Sequence, residues 1–267
     1  MAAKFAYAQW PWGTTSKEAF IQSCKDLSDV GFEYFESVKT FINTFKDDMA
    51  EFKAITEEYN LRPISFYFHL TGNHETDIAE LYDKIEFVAA NNIKTITVQG
   101  VVKMEPATHE DLVYATKTIL DYGKICKEYG VTPCVHPHRN TTIMYEPEID
   151  FVMQNTDPAE IGFAPDTAHL VTGKCNPVEI FDRYKDRIQF THLKDYTPKF
   201  STGTWQDGVE VFTDFIELGN GIVDFPGVFK VLKEINYDGF LCLELDRTRF
   251  TNKESAIMNL EYMKKNW

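Results

Sequence analysis

The sequence predicts an α/β chain folded as a (β/α)8 TIM barrel, on three observations. Eight short β-rich runs alternate with eight amphipathic stretches along the chain. No Gly/Ser-rich linker or low-complexity tract interrupts the alternation, so residues 1–267 read as one domain. No GxGxxG follows the first β-rich run, which removes the main signature of an open dinucleotide-binding sheet. Strands that alternate with helices run parallel and are joined by right-handed crossovers. A single barrel of about 250 residues accommodates eight such units.

The first strand is expected over residues 4–9 and its helix over 17–30, with Ser16 as N-cap and Gly31 as the stop. The second strand, 34–38, is followed by a helix over 45–59, and the third, 63–69, by one over 78–90. Both helices place apolar residues at helical spacing. The fourth strand, 95–99, leads to a helix over 111–129 that ends before Gly130. Strands at 132–136, 161–163, 188–192 and 240–245 are each followed by a helix, at 147–153, 177–184, 226–235 and 253–265. Three of those four helices begin with proline, which suits a first helical turn. The connection from Tyr196 to Phe215, about twenty residues long, exceeds ordinary connections and is expected to cover the site or dock a partner.

The balance of charges narrows the function. A net charge of −14 repels nucleic acid and anionic membranes, so neither is expected as a partner. Five scattered cysteines with no CxxC pair fit a reduced, cytoplasmic protein without a disulfide framework or zinc finger. No basic segment followed by an apolar run marks a signal peptide. No apolar run approaches the roughly 20 residues that span a bilayer.

In a barrel of this class the active site lies at the C-terminal ends of the strands. There the sequence places Gln9-Trp10-Pro11-Trp12, Glu36, His69, Gln99, His136-Pro137-His138, Asp166-Thr167-Ala168-His169, His192-Leu193-Lys194-Asp195 and Glu244-Leu245-Asp246. Six of the seven histidines lie at or near a strand end or in the loop after it. Asp166, His192 and Glu244 occupy three consecutive strand mouths, so they can converge on one divalent metal. A mixed carboxylate–imidazole set suits Mn²⁺, Zn²⁺, Co²⁺ or Fe²⁺ better than Ca²⁺.

Four segments carry a resemblance: Phe163-Ala164-Pro165-Asp166-Thr167-Ala168-His169-Leu170, Thr191-His192-Leu193-Lys194-Asp195, residues 218–225 (LGNGIVDF) and Leu243-Glu244-Leu245-Asp246. They resemble the xylose-isomerase-like barrels of sugar isomerases, epimerases and inosose dehydratases. That resemblance implies a metal, Mn²⁺ first among the candidates, held by Asp166, His192, Glu244 and a Glu on the fifth strand. The fifth strand instead ends in Cys134-Val135-His136-Pro137-His138. Glu146, a few residues on, is the preferred fourth ligand because it restores the usual charge, with His136 as the alternative. The segment His136-Pro137-His138-Arg139-Asn140-Thr141 resembles the His-x-His-x-Gly-Thr stretch of inosose dehydratases and of lyases acting on 3-keto-glycosides. Among these it resembles the catalytic α subunits of bacterial C-glycoside deglycosidases. The resemblance implies abstraction of the proton beside the ketone of a 3-keto sugar and loss of the C1 substituent. It also implies a small β-type partner subunit and an oligomer. The alternative is a keto-sugar isomerase, epimerase or inosose dehydratase.

Roles follow from this chemistry. A histidine titrates near working pH, so His138, with His136 second, is the candidate base. Lys194 is a candidate donor to a substrate oxygen, or else pairs with a rim carboxylate. His169 is expected beside the substrate or a ligand. Glu36 is expected to bind sugar hydroxyls or act as a second acid/base, or else to pair with Lys39. Trp10 and Trp12 are expected to stack on the sugar or its substituent.

Overall fold

The computed structural model describes residues 4–200, 205–206, 209–210 and 212–267. Its eight barrel strands are β1 (Lys4–Ala8), β2 (Tyr34–Val38), β3 (Arg62–His69), β4 (Thr95–Gln99), β5 (Thr132–His136), β6 (Gly162–Phe163), β7 (Thr191–Leu193) and β8 (Phe240–Leu243). All pair in parallel, in the order β6-β5-β4-β3-β2-β1-β8-β7. Two single-residue parallel bridges, Phe163 to Ile188 and Asp166 to His192, bring β6 beside β7 and complete the ring. The predicted barrel is therefore the observed one.

Alternation along the strands builds two cores. Tyr7, Phe35, Phe66, Phe68 and Leu241 pack outward against helices, in one cluster with Phe20, Phe52 and Phe87. Their neighbours Ala6, Ala8, Ile64, Cys134, Ala164 and Cys242 share a separate cluster with Phe190. This is the period-two pattern of a strand with two different faces. Most residues of the second cluster are small. The wide polar side chains Glu36, His136 and His192 therefore fit, buried, at the C-terminal end of the same ring.

The ten helices among the described residues are α1 (Lys17–Val30), α2 (Lys39–Phe45), α3 (Met49–Glu58), α4 (His74–Ala90), α5 (His109–Glu128), α6 (Glu146–Gln154), α7 (Thr167–Thr172), α8 (Pro177–Arg183), α9 (Phe225–Glu234) and α10 (Asn252–Asn266). Helix α1 matches its expected bounds: the Ser16 side chain accepts the Ala19 N–H, and Gly31 closes the helix at φ 100°. The helix expected over 45–59 is two helices. The Asp48 side chain accepts the Glu51 N–H at 3.0 Å and caps α3 afresh, while α2 buries Phe41, Ile42 and Phe45. Helix α4 starts a turn early because Asn73 caps it. Helix α7 was not expected; the Asp166 side chain starts it by accepting the His169 N–H.

The long connection after β7 is not structureless. Asp195–Tyr196 pairs antiparallel with Phe215–Ile216, and Trp205–Gln206 with Val209–Glu210. The rest of its tip lies outside the described residues. No helix among the described residues is long and apolar enough to cross a membrane.

Candidate active site

Strand register assembles the centre. Asp166 and His192 are bridge partners, and His192 lies opposite Cys242 on β8, two residues before Glu244. All three candidate ligands are buried, at 0%, 0% and 3% exposure. His192 Nδ1 lies 3.2 Å from Glu244 Oε2 and 3.1 Å from His136 Nδ1. Its Nε2 is held by the Glu36 carboxylate, which also accepts the Thr97 hydroxyl at 2.7 Å. The Lys194 ammonium sits 2.5 Å from Glu244 Oε1, 3.3 Å from Asp166 Oδ2 and 3.4 Å from Asp246 Oδ2.

These residues fit a metal. His136, Asp166 and His192 bring ligand atoms within 4.8 Å of one another, and Glu244 Oε2 lies beside His192 Nδ1. Asp166 Oδ1 is spent on capping α7, while Asp166 Oδ2, Glu244 Oε2 and His136 Nε2 are buried without a hydrogen-bond partner. Buried atoms of this kind, the two carboxylate oxygens meeting only the ion pairs with Lys194 and His192, are costly when crowded in one place unless something binds them. His136 Nδ1 faces the Ala164 carbonyl at 3.2 Å, which fixes the proton there and leaves Nε2 its lone pair.

The charges point the same way. Among the described residues the carboxylates Glu36, Asp166, Asp214, Glu244 and Asp246 gather around two permanent cations, Lys194 and Arg139. Burial opposes charge on His192, but Glu36 and Glu244 outweigh it and raise the imidazole to about 9. Burial, reinforced by Glu244 and opposed by Lys194, lifts Asp166 to about 7. Burial also pushes Glu244 upward, but Lys194 and His192 outweigh it and hold the carboxyl below its usual range. An acidic pocket that draws protons onto His192 and Asp166 is one that a divalent cation would relieve.

Beside this centre a cavity of about 280 Å³ is lined by Trp10, Thr14, Val38, Tyr67, Gln99, His138, Phe212, Glu244 and Asp246. His138 is the histidine on its wall. Burial and the Lys194 ammonium push His138 down to about 3, so the imidazole is neutral, and a weaker base than the titration near working pH expected of it. Its Nδ1 donates to the Arg139 carbonyl at 2.7 Å, and its ring stacks on His169 with centroids 3.7 Å apart. Burial likewise holds His136 and His169 well below the usual imidazole value. A larger recess of about 790 Å³ opens at the opposite end of the ring, lined by Lys4, Arg62 and Lys94 among others. It contains no histidine or cysteine, and the convergent groups all lie at the other mouth.

Several expected sites are corrected. Glu146 is not brought to the centre: it begins α6, is 42% exposed and pairs with Arg183 at 2.7 Å. His136 lies where the fourth ligand was sought. Glu36 does not open to the cavity but stands behind His192, and Lys39 pairs with Glu80 instead. Trp12 turns away, donating its indole N–H to Asp26 and packing edge-on against Tyr7. Trp10 does face the cavity, against Tyr67 and edge-on to His192. His169 is buried beneath His138 and does not line the cavity. Lys194 takes the expected alternative and pairs with a rim carboxylate, Glu244. The Asp195 carboxylate instead accepts the N–H groups of Tyr196, Gly219, Gly221 and Val223.

Sequence reasoning misses Phe212 and the buried Arg139–Asp214 pair, and gives Gln99 and Asp246 a place at strand ends but no role. Strand-end position was the available signal for Gln99 and Asp246. Asn140 stands where the resembling stretch has glycine, at φ 59°, a left-handed conformation that asparagine tolerates better than most residues.

Comparison with known proteins agrees with this architecture. The chain is 28% identical over 273 residues to inosose dehydratase of Clostridium botulinum (strain Alaska E43 / Type E3), covering 93% of this chain and 90% of that protein. The IOLI protein, solved with a binding zinc atom, superposes with a TM-score of 0.79 at 16% identity over 99% of both chains. The 3-keto-D-glucoside 4-epimerase YcjR of E. coli gives 0.75 at 14% identity, over 99% of this chain and 100% of that one. At such identities the two structures speak for the fold alone. The xylose isomerase-like TIM barrel model matches residues 24–266, and the chain belongs to that family.

Proposed function

We propose that this chain is a metal-dependent lyase that removes the proton beside the ketone of a 3-keto sugar and expels the substituent at C1, as C-glycoside deglycosidase α subunits do. The observation that carries the reading is the placement of His138. It is an imidazole on the cavity wall whose Nδ1 is engaged by the Arg139 carbonyl, leaving the lone pair on Nε2, with Glu244 of the candidate metal centre on the same wall. An inosose dehydratase covering nine-tenths of the chain supports lyase chemistry on a keto-sugar or cyclitol.

Asp166, His192, Glu244 and His136 would hold the metal, with Mn²⁺ the first candidate and Zn²⁺, Co²⁺ or Fe²⁺ behind it. When bound, such a cation supplies positive charge that polarises a carbonyl oxygen. His138 takes the C2 proton, and the C–H electron pair moves into the C2–C3 bond as the C3 oxygen becomes negative. Lys194, buried and paired with Glu244, Asp166 and Asp246, does not line the cavity and instead offsets the charge of those carboxylates. The C3 carbonyl then re-forms, a C1–C2 double bond appears, and the C1 substituent leaves with its bonding electrons and takes up a proton. Trp10 and Tyr67 offer flat faces to the sugar.

A second reading shares the first step. The relative named inosose dehydratase favours a keto-cyclitol substrate, with hydroxide leaving as water from the β carbon. The full chain is to be incubated with Mn²⁺ in D₂O with a 3-keto-glucoside and, separately, with an inosose. Deuterium at C2 with release of the C1 group supports the first reading. Loss of water from the inosose alone moves the assignment to the dehydratase. Exchange without release from either substrate makes the chain an isomerase or epimerase. A small β-type subunit and an oligomeric assembly belong to the proposal. Full activity of the purified chain alone would remove the obligate partner.

A further inference from the structure

Arg139 is the residue between His138 and the left-handed Asn140, and its backbone N–H and carbonyl touch two imidazoles. Its carbonyl accepts from His138 Nδ1 at 2.7 Å, and its N–H donates to His169 Nδ1 at 3.1 Å. A nitrogen that accepts an N–H carries no proton, and one that faces a carbonyl must carry one. The two rings are thereby set in opposite tautomers. His138 keeps its lone pair on Nε2, and His169 keeps its proton there.

The Arg139 side chain anchors that residue's backbone. Its Nη1 bonds Asp214 Oδ2 at 2.8 Å, with both side chains 5% exposed. Its guanidinium lies 4.9 Å from the Phe212 ring and 4.5 Å from the Phe215 ring, and these two rings stack 5.2 Å apart. Phe212 meets the edge of His138 and Phe215 the edge of His169. One clasp thus ties the connection after β5 to the connection after β7 and walls both imidazoles.

We propose that Arg139 is a positioning residue. Clamped by Asp214, Phe212 and Phe215, it presets His138 as the proton acceptor and His169 as a hydrogen-bond donor rather than a metal ligand. The assignment deepens the lyase reading and rests on it only for what His138 deprotonates.

The test is selective ¹⁵N-histidine NMR of the full chain loaded with diamagnetic Zn²⁺, with His138→Gln and His169→Gln used to assign the two rings. The wild type is expected to show His138 protonated at Nδ1 and His169 at Nε2. Arg139→Met and Asp214→Asn are expected to average both patterns and to lower kcat about 100-fold, as misplacement of a reacting group does. KM and metal content should stay within twofold, and Arg139→Lys should restore part of kcat. The reverse tautomers in the wild type overturn the proposal without any Arg139 variant having to fold. So do unchanged tautomers in a folded Arg139→Met chain. If the tautomers are as stated but the 3-keto-glucoside is inert, the substrate reading fails and this one stands.

Discussion

Replacing Glu36 by glutamine removes one negative charge at almost constant volume, in a place where the structure dictates the consequence. The carboxylate is fully buried between His192 Nε2 and the Thr97 hydroxyl. A glutamine can turn its carbonyl oxygen toward His192 and its NH₂ toward Thr97, whose hydroxyl accepts as readily as it donates. Every hydrogen bond survives, so the fold should too. What is lost is the charge behind the imidazole, which raises its basicity and holds Nδ1 toward Glu244 and His136. Loss of such a partner behind a ligand typically costs about 10–100-fold in metal affinity or activity, or about 1.4–2.7 kcal/mol. The assay is competition between the Glu36→Gln chain and a chromogenic chelator for Mn²⁺ or Zn²⁺, with thermal melting as the control for folding. Metal affinity equal to wild type in a folded variant would refute this placement. A rise in KM alone would return Glu36 to the sugar hydroxyls.

The remaining predictions concern the fourth ligand and a helix start. His136→Ala is expected to lose stoichiometric metal by mass spectrometry of the dialysed protein, whereas Glu146→Gln, which only breaks a surface pair with Arg183, should keep it; the opposite pattern would restore Glu146 to the centre. Asp111 completes the capping box of α5, accepting from Thr108 N–H and hydroxyl, each at 2.7 Å. Its bond to Lys103 is the largest of the influences that lower its carboxyl. A depressed carboxylate stabilises the fold above its unfolded value, near 3.9, and that gain is lost as pH falls through the folded value. Asp111→Asn should therefore cost about 0.3–1 kcal/mol at pH 7. In urea melts the gap should begin to shrink as pH drops below about 4, and a gap as wide at pH 3 as at pH 7 would contradict it.

Much of the fold was legible because local chemistry and global topology agree. Ser16 and Gly31 bound α1 where their types require, and the ends of β5, β6 and β7 deliver His136, Asp166 and His192 to one rim. Readings failed where one position served two masters. Asp48 and Asp166 are polar residues at loop positions whose capping role shows only once the next N–H groups turn toward them. The two tryptophans illustrate another limit. Trp10, Pro11 and Trp12 form a single 3-10 turn, in which residues two apart point in different directions. Only one of the pair could face the cavity. Arg139 and Asp214 are 75 residues apart, and nothing local in either segment announces the other.

Roles within the histidine cluster were illegible for a more general reason. Four identical side chains stand on the same rim, and each receives its function from what its other nitrogen touches. A carbonyl at Ala164 directs the lone pair of His136 to Nε2, and a carbonyl at Arg139 does the same for His138. An N–H at Arg139 places the proton of His169 on Nε2. A carboxylate at Glu36 turns Nδ1 of His192 toward Glu244. Two of these four partners are backbone atoms of one residue and a third is a backbone carbonyl, so no residue type in the sequence encodes them. The division of labour among ligand, base and donor is a property of the backbone path after β5 and β6. A sequence reading can therefore find the cluster without finding which member does what.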